Sequence, residues 1–83
     1  MGYHTRKIER GVFGETSKIR EEYEEFCDAV AQGNPVMKLV ELCDLIGAIE
    51  GYVINRHNIT LEELIVMKNA TKSAFEEGER KSR

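Results

Sequence analysis

The sequence has few of the residues that mark disulfide-rich or zinc-binding scaffolds: its 83 residues include two cysteines, one proline and no tryptophan. Cys27 and Cys43 lie sixteen positions apart, each within an apolar stripe, and neither has a second Cys or a His at metal-ligand spacing. We interpret both as small reduced core residues rather than as a disulfide or a zinc site.

Long apolar runs and a surplus of positive charge are also missing. No segment approaches the ~18 apolar residues of a membrane span, and the opening MGYHTRKIERG lacks the apolar part of a secretory signal. We therefore expect a cytoplasmic protein that does not bind membranes. The net charge of −3 gives no positive field to attract a phosphate backbone, so nucleic acid is not an expected partner.

After about residue 15 the sequence contains clear signals for the starts and ends of helices. Helices are predicted over roughly 15–32, 35–55 and 61–77, and strand signals are absent. Gly33, Asn34 and Pro35 suit a helix end, an N-cap and a first turn, and TLEE at 60–63 is a capping box. The prediction is an all-α fold: one domain over 1–83, built as a small antiparallel bundle of three main helices behind an N-terminal arm at 1–14.

Apolar spacing predicts which helix faces are buried. The first helix has an inward stripe, and the third has a second one, formed by Leu61, Leu64, Met67, Lys68, Thr71 and Phe75. The middle helix is apolar over most of its circumference, and Gly47, Ala48 and Gly51 leave flat places on it for another backbone. Two neighbouring helices would not cover so much apolar surface, so we expect a homodimer or homotetramer to complete the bundle.

The acidic residues of the first helix divide by direction. The stripe Ile19, Tyr23, Phe26 and Val30 defines the inward side, at about 100° per residue. Glu21, Glu24 and Asp28 then point away from it, where Lys18 and Arg20 offset some repulsion, and they need no special role.

Four other acids are predicted to converge. Glu22 and Glu25 lie on one shoulder of the stripe, and Glu41 and Asp44 are the acids of the apolar stretch VMKLVELCDLIGAI. Because a carboxylate in apolar surroundings is costly unless paired or bound to metal, the spacing suggests a magnesium site, with room for a second ion or for manganese. The alternative is a pair of acidic shoulders neutralised by Lys38, Lys68 or Lys72.

EEYEE at 21–25 followed by ELCD at 41–44 resembles the EExxE…ExxD pattern of the MazG-like all-α nucleoside triphosphate pyrophosphohydrolases. The resemblance to the short phage and bacterial type extends over YHTRKIERGVFGETSKIREEYEEFCDA, VMKLVELCDLIGAIEGYV and MKNATKSAFEEGER. It implies magnesium-dependent hydrolysis of a nucleoside triphosphate to the monophosphate and pyrophosphate.

The resemblance also implies roles for individual residues. The metal would be held by Glu22, Glu25, Glu41 and Asp44, with Glu21 as an auxiliary acid. The phosphates would meet basic groups of the third helix, which are Lys68, Lys72 and Arg80 here. A water held by the metal would attack the α-phosphorus, with Glu22 or Glu25 as the general base if it is not committed to metal.

Two other interpretations stay open. The chain can be a non-catalytic helical binding or regulatory module on the same scaffold, or the acids can simply keep an oligomeric bundle soluble. Base recognition is open as well: Tyr3, His4 and Phe13 of the arm could stack on a base or pack on the bundle, and His57 is interpreted as a surface residue.

Overall fold

A computed structural model describes residues 6–76, with side chains described through residue 72. It contains three helices, α1 (Thr16–Gln32), α2 (Pro35–His57) and α3 (Leu61–Glu76), and no strand within that range. The all-α prediction is confirmed. No helix among these residues has both the length and the apolar character needed to cross a membrane.

The turn between α1 and α2 forms as its residue types predict. Gly33 takes a left-handed conformation with φ of 69°, which glycine adopts without steric cost, and ends α1. The side chain of Asn34 accepts a hydrogen bond from the Met37 N–H at 3.0 Å, and Pro35 begins α2. Because the connection is so short, α1 and α2 pack against each other as an antiparallel pair.

The turn between α2 and α3 contains the predicted capping box. The Glu63 carboxylate accepts from the Thr60 N–H at 2.8 Å, and the Thr60 hydroxyl accepts from the Glu63 N–H at 3.0 Å. Asn58 has a φ of 56° and ends α2 two residues beyond the predicted region. The third helix packs on α2 and, among the described residues, does not come close to α1.

The buried side of α1 is not the predicted one. Tyr23 and Val30 of the expected inward stripe are 55% and 47% exposed, whereas Glu21 and Asp28, expected to point outward, are buried. The prediction for these four side chains was wrong. The reason is that α1 meets α2 through the side that carries its acids. Of the apolar stripe, Ile19 and Phe26 are half-buried in one chain, and Tyr23 and Val30 are exposed.

The α1–α2 interface is built from small residues and carboxylates rather than from large apolar side chains. Ala29 and Ala48 are buried, and Val53 on the α3 side of α2 completes the buried apolar set. Large apolar side chains of α2 remain at the surface: Val36, Leu39, Val40, Leu42, Ile46 and Ile54. Cys43 is exposed as well, so its assignment to the core is corrected, while Cys27 is half-buried.

The described part of the arm lies against both helices of the pair. The Val12 N–H donates to Ser17 Oγ at 3.0 Å, and the Asn55 amide donates to the Gly14 carbonyl at 3.0 Å. The ring of Phe13 lies so close to Gly51 that a Cβ there would be 2.5 Å from it. Gly51 is therefore approached by a side-chain ring of the arm and not by the second backbone that the sequence predicted.

Candidate metal centre

Four carboxylates meet between α1 and α2. Glu22 and Glu25 of α1, with Glu41 and Asp44 of α2, each offer an oxygen, and these oxygens all lie within 4.8 Å of one another. We call this group the acidic cluster. Because each pair is three residues apart on a helix, both members lie on one face, and the antiparallel packing brings the two faces together.

Burial changes across the acidic cluster. Glu41 is fully buried at 0% exposure and Glu22 is 6% exposed, whereas Glu25 is half-buried and Asp44 is exposed. The cluster therefore has a closed end between the helices and an open end at Asp44. A cation could enter from solvent while keeping water on its outer side, as magnesium commonly does.

At the open end, desolvation and neighbouring carboxylates disfavour the ionised form of Asp44. Partial desolvation of its carboxylate, followed by the charges of Glu22 and Glu41, raises the pKa of Asp44 above its ordinary value. At the closed end, the buried Oε1 of Glu22 accepts no hydrogen bond from any described residue. A buried carboxylate oxygen without a partner is costly, and an oxygen-rich donor set of this kind suits a hard divalent cation. The residues present therefore fit the ion that the sequence suggests.

A cation of the chain itself lies beside the acidic cluster. Lys18 Nζ is 3.0 Å from Glu21 Oε1 and 3.0 Å from Glu22 Oε2. The hydrogen bond to Glu22, and then the one to Glu21, raises the pKa of Lys18. Sequence reasoning placed Lys18 on the solvent side with Glu21. The available signal was the KIREE spacing, which places one lysine three and four residues before two glutamates.

Glu21 is held in a different way from the four cluster acids. It accepts from the Gly11 N–H at 2.9 Å as well as from Lys18. Burial alone would raise the pKa of Glu21, but these two donors outweigh it and the pKa lies below its ordinary value. Glu21 is thus an ionised anchor for the arm, a role that the sequence did not indicate because residues 6–14 show no period.

The basic residue of the third helix whose surroundings are described, Lys68, lies in the groove between α2 and α3. Lys68 lines an apolar groove of about 530 Å³ with Ile46, Ile49 and residues of α3, and its ammonium donates to Asn69 Oδ1 at 2.9 Å. At about 100° per residue, Ile46 lies nearly opposite the face of α2 that carries Glu41 and Asp44, and Ile49 lies to one side of that face. Lys72 is exposed, and its phosphate role stays a prediction like that of Lys68.

The residues suggested for base recognition are only partly described. The ring of Phe13 packs against Gly51, and His57 is exposed with its ring centroid 5.5 Å from that of Tyr52. Outside the described residues lie Tyr3, His4, Arg80, Lys81 and Arg83, and the side chain of Phe75. The Phe13 ring thus contacts α2 while the residue remains 69% exposed, so its role toward a base stays open, and His57 is a surface residue, as predicted.

Comparison with known proteins gives no match among protein-family models, curated proteins or solved structures. The resemblance to the MazG-like enzymes therefore rests on the acidic motifs and the segments around them, and it stays a prediction. The geometry of the acidic cluster is independent of that resemblance.

Proposed function

We propose that this protein is a magnesium-dependent nucleoside triphosphate pyrophosphohydrolase, cleaving NTP or dNTP to the monophosphate and pyrophosphate. The observation that supports this most is the convergence of four carboxylates from consecutive helices within 4.8 Å. Such a donor set suits one or two hard divalent cations, and magnesium in proteins commonly joins carboxylates to substrate phosphates. The substrate class comes from the motif resemblance.

In this proposal the side chains of the acidic cluster bind the metal, and one of them can accept a proton. Glu22, Glu25, Glu41 and Asp44 hold Mg²⁺, with Mn²⁺ as an alternative. When bound, the ion would neutralise phosphate charge and lower the pKa of a coordinated water. Hydrolysis would form a bond between a water oxygen and the α-phosphorus and break the bond from that phosphorus to the bridging oxygen, so that pyrophosphate would leave. Glu25 or Glu22 accepts the water proton if it is free of metal.

The proposal also needs cations for the phosphates, and within one chain Lys68 lines the groove between α2 and α3. We propose that a homodimer or homotetramer supplies them, with α3 of a second copy presenting Lys68 and Lys72. The exposed apolar side chains of α2, together with Tyr23 and Val30 of α1, support association because isolated folded domains rarely leave so much apolar surface in contact with water.

The decisive experiment measures pyrophosphate released from a panel of ordinary, deoxy and modified nucleoside triphosphates with Mg²⁺. Glu25→Gln keeps the shape of the side chain and removes its charge, and we expect turnover to fall at least ~100-fold. Glu24→Gln is the matched control: Glu24 is the adjacent residue of α1, paired with Arg6 at 3.8 Å instead of with the cluster. Its turnover should equal that of the wild type.

Other outcomes favour other functions. Tight Mg²⁺ or Mn²⁺ binding without pyrophosphate release on any substrate would support the non-catalytic binding module. Unchanged turnover in Glu25→Gln would remove the acidic cluster from the reaction. Absence of any metal effect on turnover or stability would support acids that only keep the protein soluble.

A further inference from the structure

Lys18 connects the acidic cluster to a fifth acid outside it. Its ammonium lies 3.0 Å from carboxylate oxygens of both Glu21 and Glu22, and only Glu22 belongs to the cluster. All three residues are on α1, at spacings of three and four, so the arrangement needs no other element to form. Both carboxylates are largely buried, which makes this pairing stronger than an exposed ion pair.

The two oxygens of Glu22 have different environments. Oε2 accepts from Lys18, while Oε1 is buried and accepts no hydrogen bond from any described residue. Glu22 is also one of the four residues whose oxygens converge within 4.8 Å. The same carboxylate therefore contacts the Lys18 ammonium through one oxygen and belongs to a group of four converging acids.

Glu21 is a second carboxylate partner of Lys18. It lies outside the acidic cluster and is fixed by the Gly11 N–H at 2.9 Å. If Glu22 is taken by another cation, the Lys18 ammonium keeps its contact with Glu21 and need not move into solvent. It then remains beside the cluster as a positive charge.

We propose that Lys18 is the resident counter-cation of the acidic cluster: it neutralises Glu22 in the metal-free protein, releases it to a divalent cation, and stays on Glu21 next to the bound ion. This inference rests on the metal site of the proposed function. Lys18 lowers the affinity for metal, because a divalent cation must enter against a nearby positive charge and compete for Glu22. In exchange, it stabilises the metal-free fold.

The test measures Mn²⁺ binding by electron paramagnetic resonance, together with thermal melts in chelator and in saturating Mg²⁺. Lys18→Met removes the charge and keeps the length of the side chain. We expect Mn²⁺ to bind about threefold tighter or more, and the melting temperature to fall in chelator but recover with Mg²⁺. Arg20→Met is the control, since it removes one positive charge from an exposed position of the same helix. It should leave Mn²⁺ affinity within error of the wild type.

Lys18→Gln provides a second variant if Lys18→Met does not fold in chelator, since its amide still donates a hydrogen bond to Glu22. It should also bind Mn²⁺ more tightly than the wild type. Equal or weaker Mn²⁺ binding in both Lys18 variants overturns the inference and leaves the metal site intact. A wild-type protein that binds no Mn²⁺ overturns the metal site and this inference together.

Discussion

Glu41 of α2 and Glu22 of α1 bring carboxylate oxygens within 4.8 Å of each other, and both residues are more than nine-tenths buried. At an effective dielectric constant of about 20, two ionised carboxylates at that separation repel by about 3 kcal/mol. Lys18 supplies one compensating charge at Glu22. Because four carboxylates converge here, we expect the stability of the fold to depend on added cations.

Added divalent metal should stabilise the protein strongly. At 100 times its dissociation constant a ligand specific for the native state adds about 2.7 kcal/mol to the free energy of unfolding. For a domain of this size we expect the melting temperature to rise by about 10 °C or more on adding Mg²⁺ or Mn²⁺ to chelated protein. Differential scanning calorimetry in chelator and in excess metal measures this directly.

Glu41→Gln should remove that metal response. It should also raise the melting temperature in chelator, because the variant has one fewer acid among four converging carboxyl groups and keeps the shape of the side chain. Glu62→Gln, at an exposed position in the first turn of α3, is the matched control and should keep the full metal response. A metal response that survives in Glu41→Gln would place the binding site elsewhere.

The pH dependence of stability should change sign with metal. In the metal-free protein the pKa of Asp44 is raised on folding, so the native state binds more protons than the unfolded state just above pH 3.8, the ordinary pKa. Its contribution to stability is then present at low pH and is lost as pH rises through the native pKa. With Mg²⁺ present, Asp44 must be ionised to bind, and its contribution grows over the same pH range.

Melting curves of wild type and Asp44→Asn between pH 3.5 and 7, a range set by the ordinary carboxyl pKa values of about 4, isolate this contribution. Subtracting the curve of the variant from that of the wild type removes the contribution of other carboxylates, including Glu21 with its lowered pKa, because they titrate in both proteins. If the difference between the two proteins has the same slope with and without Mg²⁺, Asp44 is not a metal ligand.

The helix boundaries could be predicted because they depend on local chemistry. Asn34, Gly33 and the pair Thr60 and Glu63 each satisfy backbone groups within four residues, so sequence alone contains the needed information. The convergence of the cluster acids followed from the same local logic, combined with the short α1–α2 turn. These parts of the structure need no knowledge of distant contacts.

The orientation of α1 could not be predicted in the same way. An apolar stripe predicts that one face of a helix is buried, but it does not show whether the same chain or a second copy buries it. In one chain Tyr23 and Val30 remain exposed. The burial of Glu21 depends on Gly11, ten residues earlier in an arm without periodicity. Contacts of this kind are set by tertiary packing, and no residue spacing indicates them.

Removing the Glu21 carboxylate should release the arm. Glu21→Ala deletes the acceptor of the Gly11 N–H and one of the two partners of Lys18. We expect a loss of about 1–3 kcal/mol in the free energy of unfolding at pH 7, measured by urea denaturation. Hydrogen exchange at the Gly11 amide should accelerate in the same variant. Glu62→Ala, at an exposed position in the first turn of α3, is the control and should leave that amide protected.

Two glycines of α2 offer a matched pair for the proposed association. A Cβ at Gly51 would lie 2.5 Å from the Phe13 ring, whereas at Gly47 no described atom beyond its own helix lies within 4 Å. In a single chain Gly47→Ala should therefore gain about 0.5–1 kcal/mol from helix propensity. Gly51→Ala should show no such gain, because the ring must move away from the helix.

The two variants should differ in self-association as well, with Gly47→Ala now the one that is impaired. Gly47 lies on the uncovered apolar side of α2, near Val40 and Ile54, where a second copy can approach closely. Gly47→Ala should weaken self-association in sedimentation velocity, since an added methyl group separates the two backbones, while Gly51→Ala should associate like the wild type. If Gly47→Ala associates with unchanged affinity, the second copy does not pack closely at this face, and the position of Lys68 relative to the acidic cluster must be explained by a different interface.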